Sequence, residues 1–252
     1  MERAWVFLIL MAIGFGYSAA SPLLSAAETV EVMREARRSD GFEVRMKIST
    51  VEPDGHHATP LKLGIIGQCN ADKEHLLIWG ISPDTVRHRF FAAEKSADGR
   101  IRLLKYREHP SDGITETDPF TKVFDSVIIW DIFSPWWNWS KQSLGETKQI
   151  AGRSCTDVQS LSNTISSPIR EVISCVDRDA GLSLKTQLFG NLHTLIRTIT
   201  VEQTVRKESG RLAAKKMLIT GADGSIITAE IYSGDEHHPI TEDTFAPLDA
   251  GK

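Results

Sequence analysis

Between Phe42 and Ser49 apolar and polar residues alternate without a break: Phe42, Val44, Met46 and Ile48 against Glu43, Arg45, Lys47 and Ser49. A period of two puts each set on its own face, as in an antiparallel strand buried on one side and wet on the other. Further β-like runs cover Leu61 to Ile66, His75 to Ile81, Val86 to Ala93 and Ile101 to Arg107. Turn formers separate them at Pro53-Asp54-Gly55, Asn70-Ala71-Asp72, Ser82-Pro83-Asp84 and Ala97-Asp98-Gly99. The pattern resumes with Thr194 to Val205, Leu212 to Thr220 and Ser225 to Tyr232. Several runs carry apolar and polar residues on both faces, so the pattern leaves their registers open. About ten strands approach the limit of an open twisted sheet. The expected fold is mainly β (α+β): a strongly curved antiparallel sheet or half-barrel with an N-terminal helix and a short helical lid or plug.

The helix is expected over Glu28 to Arg38, where Val30 and Met33 share a face. Acids early and Arg37-Arg38 late complement the helix dipole, and Gly41 offers a stop. Ser25 and Glu28 have the spacing of a capping box. In the centre of the chain, Ser154 to Leu161 and Arg170 to Asp177 flank a polar break that ends at Pro168. A second break, Asp177 to Gly181, leads to a run from Leu182 to Leu188. This is the signature of a meander. A first hairpin folding about Ile165 sets Cys155 opposite Cys175, within reach of a disulfide. Two buried thiols sharing a face are the alternative.

One segment interrupts the β pattern, Thr121 to Leu144. Asp125 could cap a short helix through Phe133, and Pro135 would stop it by turning Ser134 away from helical angles. Four of the six tryptophans sit here: Trp130, Trp136, Trp137 and Trp139. With Phe133 they are candidates for the apolar lid or mouth of a ligand cavity. An aromatic plug closing one end of the sheet is the other reading. Asn138-Trp139-Ser140 matches a glycosylation sequon, a short pattern that recurs by chance.

Residues 4–17 form an uncharged apolar run after Arg3, with small residues at Ser18-Ala19-Ala20 and Ser25-Ala26-Ala27. Residues 1–27 read as a secretory signal cleaved after Ala20 or Ala27, with an uncleaved membrane anchor as the alternative. Residues 28–252 are then a single extracytoplasmic β domain, and the oxidising compartment favours the disulfide. A net charge of -4 with interspersed signs argues against a nucleic-acid partner. Three cysteines are too few for a disulfide scaffold; one pair plus Cys69 is the simplest division.

Motifs for catalysis are missing: no G-x-S-x-G, P-loop, H-E-x-x-H or C-x-x-C occurs. His56-His57 and His237-His238 lie beside turn residues, where solvated histidines are the expectation. Neighbours in a strand point to opposite faces, so neither doublet chelates a metal alone. No metal, cofactor or enzymatic activity is expected.

Several weak matches then fall in a telling order: the helix and strand to Thr50, LIWGISPDTVRHRFFAAEK (Leu77 to Lys95), LGETKQIAGRSCTDV (Leu144 to Val158), EVISCVDRDAGLSLKTQLF (Glu171 to Phe189) and HPITEDTF (His238 to Phe245). Together they resemble the LolA/LolB-like outer-membrane lipoprotein-sorting family across most of the chain. The resemblance implies a curved sheet around an apolar interior closed by helices, which in well-known members holds lipoprotein acyl chains. It implies a periplasmic carrier or chaperone for a lipidated protein or lipid-like apolar ligand, with transient contact to a membrane or membrane protein. Cys175 stands where the family often has an aromatic, and Trp136-Trp137-Asn138-Trp139 departs from it. The alternative is a non-enzymatic sensor or scaffold of related fold that binds a protein partner.

Overall fold

The computed structural model describes residues 25–107, 113–164 and 167–249. The proposed signal cleavage after Ala20 and the hairpin midpoint Ile165 lie outside the described residues. Helix α1 (Ala26–Arg37) comes first, and strand β1 (Ser39–Val51) follows almost directly. Four strands come next: β2 (Leu61–Cys69), β3 (Lys73–Ser82), β4 (Phe90–Ser96) and β5 (Ile101–Tyr106). A short strand, β6 (Thr115–Thr117), precedes the small hairpin of β7 (Lys122–Val123) and β8 (Val127–Ile128). Helix α2 (Ile129–Phe133) and a 3-10 turn, Pro135–Asn138, complete the interruption. The meander resumes with β9 (Lys141–Ile150), β10 (Arg153–Leu161), β11 (Glu171–Asp177) and β12 (Leu182–Phe189). Three long strands close it: β13 (Leu195–Arg206), β14 (Leu212–Gly221) and β15 (Ile226–Asp235).

Among the described residues, thirteen strands make one antiparallel sheet, ordered β6-β5-β4-β3-β2-β1-β15-β14-β13-β12-β11-β10-β9. Strands β1 and β15 pair at its centre, while β6 and β9 are edges that do not meet. The sheet curves without closing into a barrel. Its concave face wraps the interruption, whose side chains reach both wings. Ile129 and Phe133 pack with Leu63, Ile78 and Leu103, whereas Trp130, Trp136 and Trp137 pack with Val158, Val172 and Leu188. Helix α1 joins the second group through Val30 and Met33. On the convex side, Phe245 and Leu248 cover Ala92, Leu104 and Tyr106.

The alternation in β1 is borne out: Met46 and Ile48 are buried in the concave core, and Phe42 and Val44 pack against it partly buried. The helix starts two residues before Glu28, because Ser25 caps it. The Ser25 hydroxyl accepts from Glu28 N–H at 3.2 Å, and the Glu28 carboxylate accepts from Ser25 N–H at 2.6 Å. Gly41 is not the stop. Arg38 already has extended angles, and Gly41 lies inside β1, where a Cβ would sit 2.2 Å from the His238 carbonyl oxygen. The run expected from Val86 begins instead at Phe90. Asp84–Val86 is a 3-10 turn with Val86 buried, its carbonyl close against Gly80. Strand β9 is absent from the expected runs altogether: Lys141 to Leu144 falls in the expected interruption, and Gly145 to Ile150 belongs to no expected strand.

The disulfide is present: Cys155 is bonded to Cys175, with Cα atoms 5.2 Å apart. The register behind it differs from expectation. Asp157, not Cys155, is the direct partner of Cys175, so the hairpin is centred one residue beyond Ile165. The bond joins diagonal neighbours on the sheet face opposite Val158 and Val172, beside Leu184.

Candidate functional site

The interruption is built tightly. Phe124 and Asp125 form the turn between β7 and β8, both at positive φ (51° and 63°). Burial explains the strained turn: Phe124 is 1% exposed and its ring meets Phe91 edge-on at 5.1 Å. Asp125 therefore does not cap α2, since it sits in the hairpin turn with its carboxylate 4.0 Å from Arg89. The helix starts from Ile128 and runs five residues. Ser134 then adopts left-handed angles ahead of Pro135, which ends the helix as its sequence position implies.

Three faces of this segment do different work. One carries Ile129 and the fully buried Phe133 into the β1–β5 wing. The second gathers the tryptophans: Trp130 lies 5.3 Å from Trp136 and 6.3 Å from Trp139 between ring centroids, and Trp136 lies 6.0 Å from Trp137. Trp130, Trp136 and Trp137 are each at most 5% exposed. The structure thus brings the four tryptophans together and leaves Phe133 apart from them. Trp130 and Trp139 border a small cavity of about 310 Å³ beside Phe120 and Pro168.

The third face, Val127, Ile128 and Ile132, covers an apolar cleft of about 460 Å³. Its floor is the concave side of β1, β13, β14 and β15, represented by Met46, Ile48, Met217, Ile219, Ile227 and Ala229. No tryptophan lines it. A cleft of this size with few polar groups has the character of a small-molecule site. Sequence reasoning missed its floor. The alternation in β1 and β15 marks these residues as inward-facing, but nothing in it tells which inward-facing positions the plug leaves uncovered.

Asp131 and Arg197 form an ion pair in the cleft wall, each side chain about 10% exposed. Burial pushes the Asp131 carboxyl up, with Arg197 opposing. The Arg197 Nε has no hydrogen-bond partner. Other cationic or amide groups hold the plug by its carbonyls. Arg34 donates to Trp137 O at 2.6 Å, Arg37 to Ile132 O at 3.0 Å and Gln142 to Trp136 O at 3.0 Å. Lys95 donates to Asn138 Oδ1 at 3.1 Å and pairs with Glu74, which Arg37 also contacts at 2.7 Å. Burial is the largest influence on Glu74 and raises its pKa, yet Arg37 and Lys95 together carry it below the usual carboxylate range. Neighbouring Cys69 is buried, and its thiol is pushed up to about 11, chiefly by desolvation. A protonated, enclosed thiol is a poor nucleophile.

His56, His57 and His237 are exposed, and His238 lies 3.5 Å from Glu43. No group of three or more histidines, cysteines or carboxylates able to hold a metal occurs among the described residues.

Comparison of the sequence with protein-family profiles and with curated proteins finds no match. Solved structures do match in shape. A domain from Vibrio parahaemolyticus named for outer membrane lipoprotein sorting superposes with a TM-score of 0.78 at 13% identity, covering 90% of this chain and 100% of its own. A DUF1329 family protein from Desulfovibrio piger gives 0.77 at 12% identity over 87% of this chain and 95% of its own. A LolA superfamily protein from Nitrosomonas europaea gives 0.69 at 15% identity over 88% and 98% respectively. At such identities the likeness is one of fold: this chain has a LolA-like fold.

Proposed function

We propose that the chain is an extracytoplasmic carrier or chaperone, not an enzyme, that shelters an apolar acyl-type ligand against the concave face of its sheet. The carrying observation is the cleft of about 460 Å³ between the third face of the plug and strands β1, β13, β14 and β15. The LolA-like fold supports the same reading, and the Vibrio parahaemolyticus neighbour is named for lipoprotein sorting. A lipidated protein or a free lipid would meet the same apolar walls.

In this reading the segment from β7 to Trp139 is the movable cover. A ligand larger than the cleft displaces it, drawing Trp130, Trp136, Trp137 and Trp139 from their packed positions while Phe133 anchors the other side. Displacing it uncovers the buried Trp130, Trp136 and Trp137 and breaks the carbonyl hydrogen bonds and one ion pair, so the ligand's own apolar burial has to offset that cost. Periplasmic location follows from the proposed signal at residues 1–27.

Fatty acids of increasing length, titrated while tryptophan emission is followed, test the proposal. Affinity is expected to climb by about 0.8 kcal/mol per methylene until the cavity fills. A flat response across the series would remove the carrier and leave a scaffold that binds a protein partner.

A further inference from the structure

The cleft has a continuation. A second cavity of about 770 Å³ lies along the next stretch of the same strands. In β1 the lining passes from Met46 and Ile48 in the first cavity to Phe42 and Val44 in the second. In β15 it passes from Ile227 and Ala229 to Ile231, and in β14 from Met217 and Ile219 to Ala213. Ile132 of α2 lines both cavities. Phe42, Val44, Ile132, Met217, Ile219 and Ile231 are only partly buried, so an apolar strip runs unfinished beneath the plug. From Phe42 to Ile48 the strip measures about 20 Å at 3.3 Å per residue.

Charge distinguishes its two ends. At the inner end Asp131 and Arg197 neutralise one another. At the outer end Arg37, Arg38, Lys207 and Arg211 border the second cavity. Glu74 is taken up by Arg37 and Lys95, and Glu236 by Lys207. An adjoining surface hollow that shares Arg211 adds Arg178 and Arg206. Arg38 also pairs with Glu35 at 2.8 Å, and Asp40 and Asp179 lie in the two linings, so the outer mouth keeps a modest cationic excess centred on Arg211, Arg178 and Arg206.

We propose that the two cavities form one channel for a single acyl chain with an anionic head group. The head, a carboxylate or a phosphate, sits by Arg38 and Arg211, and the tail passes Ile132 into the inner cleft. Ile132 is the neck that sets how long a chain gains from binding. The proposal rests on the carrier reading and adds direction, head-group charge and a length limit.

Displacement of a dansylated fatty acid by octanoate, decanoate, palmitate, methyl palmitate and a palmitoyl lysophosphatidic acid tests it. Wild-type affinity climbs from octanoate to palmitate by up to about fourfold per methylene. In Ile132→Trp the climb ends near decanoate. The pair Arg38→Glu and Arg211→Glu weakens palmitate by about tenfold and leaves methyl palmitate unchanged. Tighter binding of the lysophosphatidic acid than of palmitate assigns the head as phosphate, and the reverse assigns it as carboxylate. If Ile132→Trp fails to fold, Ile132→Ala, which only removes atoms, binds methyl-branched acids more tightly than wild type. A full climb in Ile132→Trp, unchanged branched-chain affinity in Ile132→Ala, or equal weakening of acid and ester by charge reversal overturns the channel while leaving the carrier. Failure of every acyl compound to displace the probe from wild type overturns the carrier reading itself.

Discussion

Arg197 and Asp131 show how much can hang on one pair of side chains. Removing one partner of a buried ion pair strands the other, so Arg197→Leu is expected to cost about 3–5 kcal/mol, read as a lower urea midpoint. Asp131→Asn with Arg197→Leu should recover much of that loss, and a double variant no better than the single one contradicts the pairing. Glu74 gives a pH signature. Its folded pKa lies below the unfolded value, so its stabilisation is complete above the unfolded value and lost as pH falls through the folded one. Asp131 runs the other way: its raised folded pKa makes its contribution fall as pH rises through the carboxylate range. Glu74→Gln should therefore be less stable than wild type at neutral pH and lose less on acidification to about pH 3. Parallel curves would show that Glu74 carries no such linkage. Under the proposed signal at residues 1–27, cleavage after Ala20 keeps the Ser25–Glu28 box, whereas cleavage after Ala27 removes it. N-terminal sequencing of exported protein should read Ser21 onward, and a chain beginning at Glu28 refutes this.

Elements were legible in proportion to how clean their alternation is. Strand β1 shows a period of two from Phe42 to Ser49 and was readable over that stretch, while its first residues, Ser39 to Gly41, were not. Strand β9, KQSLGETKQI, has only two aliphatic side chains and lies at a sheet edge with most positions exposed, so little in its sequence marks a strand. The hairpin of β10 and β11 was legible as a hairpin, but the cysteines do not fix its centre to one residue, since both registers bring them near. The bond encloses a separation of 20 residues and should stabilise the fold by about 3 kcal/mol in the chain-entropy model. Cys155→Ser ought to lower the urea midpoint accordingly, and an unchanged midpoint refutes the estimate. Alkylation of oxidised protein should find no accessible thiol while it is folded and one, Cys69, after denaturation. In the interruption, the clustering of tryptophans was plain, yet a five-residue helix with three differently occupied faces was not. Which face meets which wing depends on curvature that no local pattern encodes.

At the scale of the whole sheet, thirteen curved strands leave a concave surface larger than one short plug and one helix can cover. The aromatic cluster fills one wing, Ile129 and Phe133 fill the other, and the floor between them at β1, β14 and β15 stays partly open. That unfinished burial is the physical basis for a carrier, since an apolar surface kept from water by a thin cover gains from a guest. The most direct measurement is a crystal of the protein with a palmitate brominated at its terminal carbon, with the bromine located by anomalous scattering. The bromine should lie in the cleft against Met46, Met217 and Ile227. Bromine only on the outside of the sheet, or none at saturating ligand, would contradict the carrier.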